Sequence, residues 1–155
     1  MTQVDFYVLP EASDPARLKL ACRLIERAYL AGERVLAWTE DAAALEGFDT
    51  LLWTFGDRAF VPHERVDGDP RALAAPVQLT DAPELTAATA AAFDVLVNLR
   101  VPPVPSALAV PRIIEVLDGD EQRRKAGRER FRAYRERGLA PSHHNLTHDA
   151  QIDNG

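Results

Sequence analysis

The stretch VDFYVLPEASDPARLKLACRLIERAYLAGERVLAW, Val4 to Trp38, decides the fold. Its opening VDFYVL is β-branched and aromatic, as a buried strand requires, and Pro10 lacks the amide that would extend it. Ser13 or Asp14 offers a capping oxygen and Pro15 fits a first helical turn. Leu18, Ala21, Cys22, Ile25, Ala28 and Tyr29 then recur at helical spacing until Gly32. Arg34 to Trp38 is extended and apolar again. Two apolar strands joined by a helix of this length form a right-handed βαβ unit with parallel strands.

Downstream, Thr39 is placed to cap a second helix running to Phe55, with Leu45, Phe48, Leu52 and Phe55 on its apolar face. Gly56 to Pro76 is rich in Gly, Pro, Asp and Arg and reads as a loop, although Phe60, Val61, Pro62 and His63 sit inside it. Val77–Leu79, Asp94–Leu99 and Arg112–Leu117 read as further strands, the last two separated by a loop marked by Pro102, Pro103 and Pro105. A basic helix follows Asp118 and Gly119 and is closed by Gly138. This order predicts a three-layer α/β fold: a mainly parallel central sheet with helices on both faces, Rossmann-like but without a nucleotide motif. Residues 1–140 form one expected domain and 141–155 an expected flexible tail.

With 155 residues, 46% hydrophobic and 27% charged, the chain is sized for one domain and excludes wholesale disorder. No apolar run is long enough to span a membrane and MTQVDFYVLP is not signal-like, so a cytoplasmic location is expected. Cys22 is alone, which rules out an intrachain disulfide and suits a small core residue.

Charge is concentrated in the last helix. Residues 121–137 carry eight basic side chains against Glu121, Glu129 and Glu136, a net of +5, whereas the whole chain is −6. Such asymmetry marks a docking surface or a solvated helix face. At 3.6 residues per turn, Arg124, Arg128, Phe131 and Arg135 share a stripe with Arg132 at its edge, while Ala126, Arg130, Ala133 and Tyr134 share the face better suited to packing. An outward Phe among guanidinium groups suits an acidic peptide that ends in an aromatic residue and a free carboxylate. The plainer alternative buries Phe131 in the core.

Catalytic chemistry has little support. Ser106 lies among prolines, no nucleophile motif is present, and the loop PEASDP after the first strand has no glycine to admit a pyrophosphate. Asp57, Glu64, Asp67 and Asp69 near His63 read as a solvated acidic loop. His143, His144 and His148 lack a rigid frame, so no metal and no cofactor is expected. Asp49 to His63 carries more weight, because Trp53, Phe55, Phe60 and Val61 gather around a turn at Gly56, and rigid aromatics beside a loop are favoured interface anchors.

FYVL at 6–9, GERVL at 32–36, the pattern D-x-x-L-W then F-V-P-H across 49–63, and RERFRAYR at 128–135 followed by Gly138 together resemble the chi subunit family of bacterial DNA polymerase III holoenzyme. The resemblance covers the chain to about Ser142. It implies a non-catalytic replisome adaptor associated with the clamp loader. One side would bind the psi subunit, and the other the acidic C-terminal tail of single-stranded DNA-binding protein. Carried over by position, the tail site comprises Leu117, Arg124, Arg128, Phe131, Arg132 and Tyr134, with Arg135 added by helical phase. Phe131 stands where the family can have Tyr, and Arg132 where it can have Lys. The psi surface becomes Trp53, Phe60, Val61, Pro62 and His63, which some members also use for a helicase-like repair partner. The alternative from another class is a small α/β enzyme or nucleotide-binding protein using the strand ends. A third reading is direct DNA contact by the basic helix.

Overall fold

The computed structural model describes residues 2–57, 60–66, 70–72 and 74–147. Asp67, Asp69 and His148, weighed above, lie outside them. The strands are β1 (Gln3–Val8), β2 (Val35–Trp38), β3 (His63–Arg65), β4 (Val77–Thr80), β5 (Val95–Asn98), β6 (Arg112–Leu117) and β7 (Ser142–Asn145). The helices are α1 (Asp14–Leu30), α2 (Ala42–Thr54), α3 (Ala87–Ala90) and α4 (Glu121–Glu136). All strand pairs are parallel, in the order β3-β4-β2-β5-β6-β1-β7.

Side-chain alternation builds the three layers, since parallel strands buried on both faces are apolar at successive positions. Tyr7, Val35, Ala37, Val95, Val97, Ile114 and Val116 point toward α1 and α2, where Leu20, Leu24, Ile25, Phe48 and Leu52 meet them. Val4, Phe6, Leu36, Trp38, Leu96 and Ile113 point the other way, toward Tyr134 of α4, Ala90 of α3 and the 99–111 connection through Val104, Leu108 and Val110. Cys22 is fully buried, and burial pushes its thiol up to about 12, as befits a core residue.

β1 and β2 are parallel members of one sheet, as the βαβ reading expects, with β5 and β6 between them. Two expectations are corrected. The helix cap after β2 is Asp41, whose carboxylate accepts from Ala44 N at 2.8 Å; Thr39 instead donates its hydroxyl to Thr80 O. Two edge strands lie where the sequence reads as loop and tail. His63–Arg65 pairs with β4, and Ser142–Asn145 pairs with β1, so the tail's first residues are part of the sheet. Both segments are short and polar, and their register comes from the neighbouring strand rather than from a pattern of their own.

Candidate peptide-binding site

The site is built from the turn that launches α4. Asp120 caps the helix by accepting from Arg123 N at 2.9 Å. Arg123 reaches back to buried Asp118 with two bonds, Nε to Oδ1 at 2.8 Å and Nη2 to Oδ2 at 2.6 Å. Burial would raise the Asp118 pKa, but these bonds, with those from the Ser13 and Asp120 amides, hold it down at about 2. The helix can then lie close on β6 because residue 127 is glycine. A Cβ there would stand 2.6 Å from Leu117 Cδ1.

That close approach leaves an open space beside α4, over β1 and β7. A cavity of about 620 Å³ is lined by Phe6 and Val8 of β1, Leu117 of β6, Arg124, Gly127, Arg128, Phe131, Arg132, Arg135 and Glu136 of α4, and His143 and Asn145 of β7. Six predicted residues meet here: Leu117, Arg124, Arg128, Phe131, Arg132 and Arg135. Phe131 is neither the outward ring of one reading nor the core residue of the other. It is half-buried, tilted against Phe6 at 5.3 Å, and forms part of the cavity wall. Arg124 is fixed by the ends of two strands, with Nε donating to Asp118 O at 3.0 Å and Nη2 to Leu9 O at 3.3 Å. Arg128, Arg132 and Arg135 are exposed, and among the described residues no carboxylate pairs with them. Four guanidinium groups against one carboxylate, Glu136, surround an apolar floor.

Tyr134 does not belong to this space. It is fully buried on the packing face, donates to Glu115 Oε2 at 2.6 Å and accepts from Val104 N at 3.0 Å. Glu115 also takes Arg130 Nε at 2.9 Å and Asn98 Nδ2 at 3.0 Å. Burial raises the Glu115 carboxyl above its ordinary range, against the opposing pull of Arg130, Tyr134 and Asn98. Arg130 and Tyr134 thus lie on the packing face that helical phase predicts, and Tyr134, unlike the other residues carried over with it, does not line the cavity.

The second surface lies at the opposite sheet edge. Six inter-strand steps separate β3 from β7, on the order of 30 Å. Trp53 is 46% exposed and Phe60 67%, with ring centroids 5.8 Å apart. Of the residues predicted to act with them, Pro62 is half-exposed, but Val61 and His63 are buried. Val61 fills the α2-side core, where a short apolar side chain beside the edge strand is most easily covered. His63 lies beneath Trp53 at 4.0 Å, its Nδ1 2.7 Å from Val61 O and its Nε2 2.8 Å from Asp49 Oδ1. It supports the aromatic pair from below instead of presenting a surface.

These geometries can be set beside known proteins. The family model described as "DNA polymerase III chi subunit, HolC" matches residues 1–142. The chain belongs to the DNA polymerase III chi subunit family. It is 36% identical over 146 residues to DNA polymerase III subunit chi of Pseudomonas aeruginosa, covering 94% of this chain and 98% of that one. It is 27% identical over 143 residues to the Escherichia coli K12 subunit chi, covering 90% and 95%. With subunit chi of Haemophilus influenzae the identity is 26% over 142 residues, covering 92% and 96%. The chi-family match ends at Ser142, so the cavity residues His143 and Asn145 lie beyond it.

In this chi-family fold the turns after β1 and β6, where an α/β sheet usually takes a nucleotide, are packed against each other. The connections from β1 and β6 diverge to opposite faces, which is where such a ligand would enter. Gly119 N donates to Glu11 O at 2.9 Å, Asp118 accepts from Ser13 N at 2.7 Å, and a Cβ at 119 would come within 2.5 Å of Pro10 O. The chain's own groups occupy the amides and the space a phosphate would need. Sequence reasoning missed Phe6, Val8, His143 and Asn145 as cavity residues. The alternation of β1 put Phe6 on a face without saying what lay over it, and SHHN carries no apolar pattern that marks a strand.

Proposed function

We propose that this chi-family chain is a non-catalytic replisome adaptor. On this reading it bridges the clamp loader, through psi at the Trp53–Phe60 surface, to the acidic C-terminal tail of single-stranded DNA-binding protein at the α4 cavity. The observation that carries the reading is the cavity itself: an apolar floor of Phe6, Leu117 and Phe131 beneath four guanidinium groups. A terminal aromatic ring fits the floor, its carboxylate meets a guanidinium fork, and acidic residues upstream meet the remaining charges. Placement of the two surfaces at opposite sheet edges leaves both partners room at once, and linkage to a many-tailed partner raises effective affinity without new contacts. The same aromatic surface could serve a repair helicase in place of psi.

The test is titration calorimetry with an acidic peptide ending in a free aromatic residue. Arg128→Ala should weaken binding by about 1.5 to 3 kcal/mol, as for a hydrogen bond to a charged group. Added salt should weaken the wild-type complex as well, because the attraction is largely between charges. Unchanged affinity in Arg128→Ala would move the tail site elsewhere. Tight binding of naked single-stranded DNA without the protein partner would overturn the adaptor reading.

A further inference from the structure

The cavity wall facing α4 is β7, which carries two successive histidines on opposite faces of the sheet. His144 faces the α1 side. It stacks on Tyr7 with centroids 4.5 Å apart, and its Nε2 lies 3.1 Å from Asp5 Oδ1. Asp5 is buried and also accepts from Arg112 Nε at 2.8 Å. Burial acts to raise the Asp5 pKa, but the bonds from His144, Arg112 and Gln3 prevail and lower it. His144 is therefore an anchor that ties the edge strand to β1.

His143 faces the cavity. Its ring centroid is 4.6 Å from that of Phe131 and 6.0 Å from that of Phe6, and the residue is exposed. Among the described residues no hydrogen bond or ion pair holds its imidazole. The charged groups lining the same space are Arg124, Arg128, Arg132, Arg135 and Glu136, all from α4. From the sheet come Phe6, Val8, Leu117 and Asn145, none of which titrates.

We propose that His143 is a ligand-contacting residue of this cavity, which forms an aromatic slot with Phe131 for the terminal ring of an acidic peptide and, as imidazolium, supplies a further cation for its carboxylate. The inference rests on the peptide-receptor reading above and deepens it. Both ring nitrogens of an imidazolium donate, so a carboxylate brought into the slot gains a donor that the neutral ring cannot provide reliably. A bound carboxylate favours the imidazolium over the neutral ring, and binding therefore takes up a proton. Affinity therefore rises on acidification and declines where the peptide's own carboxylates protonate, near about pH 4.

Calorimetry of the full chain with an acidic peptide ending in phenylalanine tests this at about pH 8 and about pH 5.5. Wild type should bind about two- to fivefold tighter at the lower pH, the effect of one partly exposed ion pair. Buffers of different ionisation enthalpy should report proton uptake. His143→Phe keeps an aromatic ring and removes the titrating nitrogens, so it should lose the pH dependence. His143→Ala should weaken binding at both pH values. If His143→Phe keeps the full wild-type pH dependence, or His143→Ala binds like wild type at both, the role of His143 is overturned while the receptor reading stands. If wild type binds at neither pH, the receptor reading falls and this inference with it.

Discussion

The two faces of α4 carry the same kind of side chain under opposite conditions. On one face Arg130 is buried and locked to Glu115, while Tyr134 donates to the same carboxylate and Arg137 donates to Val104 O. On the other, Arg128, Arg132 and Arg135 stand around an open apolar floor with no carboxylate paired to them among the described residues. Charge whose partners lie within the fold fixes the helix in place. Charge left without a partner beside apolar space is available to a ligand. The comparison shows that a count of basic residues is a poor guide to a docking surface and that pairing is a better one.

The sharpest way to break this contrast is to open the closed face. Glu115→Ala removes the carboxylate and leaves Arg130 buried without a counter-charge, a change that costs about 3 to 5 kcal/mol. Urea unfolding should show that loss, and a double variant, Glu115→Leu with Arg130→Met, should recover much of it because no orphaned charge remains. A loss below 1 kcal/mol in Glu115→Ala would mean the network does not secure α4. The open face should behave in reverse. Arg128→Ala, with its loss of about 1.5 to 3 kcal/mol in peptide affinity, should leave unfolding stability within about 0.5 kcal/mol of wild type. A large drop in stability would show that Arg128 has a structural partner.

The central sheet was legible because its apolar runs, 4–9, 34–38, 94–99 and 112–117, are each buried on both faces and need no partner to be recognised. Helix phase located Arg124, Arg128, Phe131 and Arg135 together, since an amphipathic helix records its own orientation in its sequence. Pairing was not legible in that way. Nothing local tells that Arg130 meets Glu115, 15 residues away, or that Tyr134 is drawn inward by that same carboxylate. Edge strands fail for a related reason: His63–Arg65 and Ser142–Asn145 are strands only because β4 and β1 offer free edges. That His143 and Asn145 went unread as part of the cavity wall follows from the second of these.

Asp118 gives the smallest effect and tests where the closed face begins. Its carboxylate has no exposed side-chain surface and anchors Arg123 at the first turn of α4, yet it lines neither side of the open cavity. Because its pKa is depressed to about 2 in the folded chain, against about 3.9 when unfolded, the folded state favours the ionised form. The resulting stabilisation is fully present above about pH 4 and is lost as pH falls through about 2. Asp118→Asn should therefore cost about 1 to 2 kcal/mol near neutral pH and nothing extra once the pH is well below about 2, where wild type is protonated as well. Thermal or urea unfolding across that range would show the two curves converging as the solution is acidified. Peptide affinity near neutral pH should stay at the wild-type value, because Arg123 is held by the fold and is not among the cavity's cations. If Asp118→Asn instead weakens the peptide as much as Arg128→Ala does, the division of α4 into a closed and an open face is drawn one turn too late.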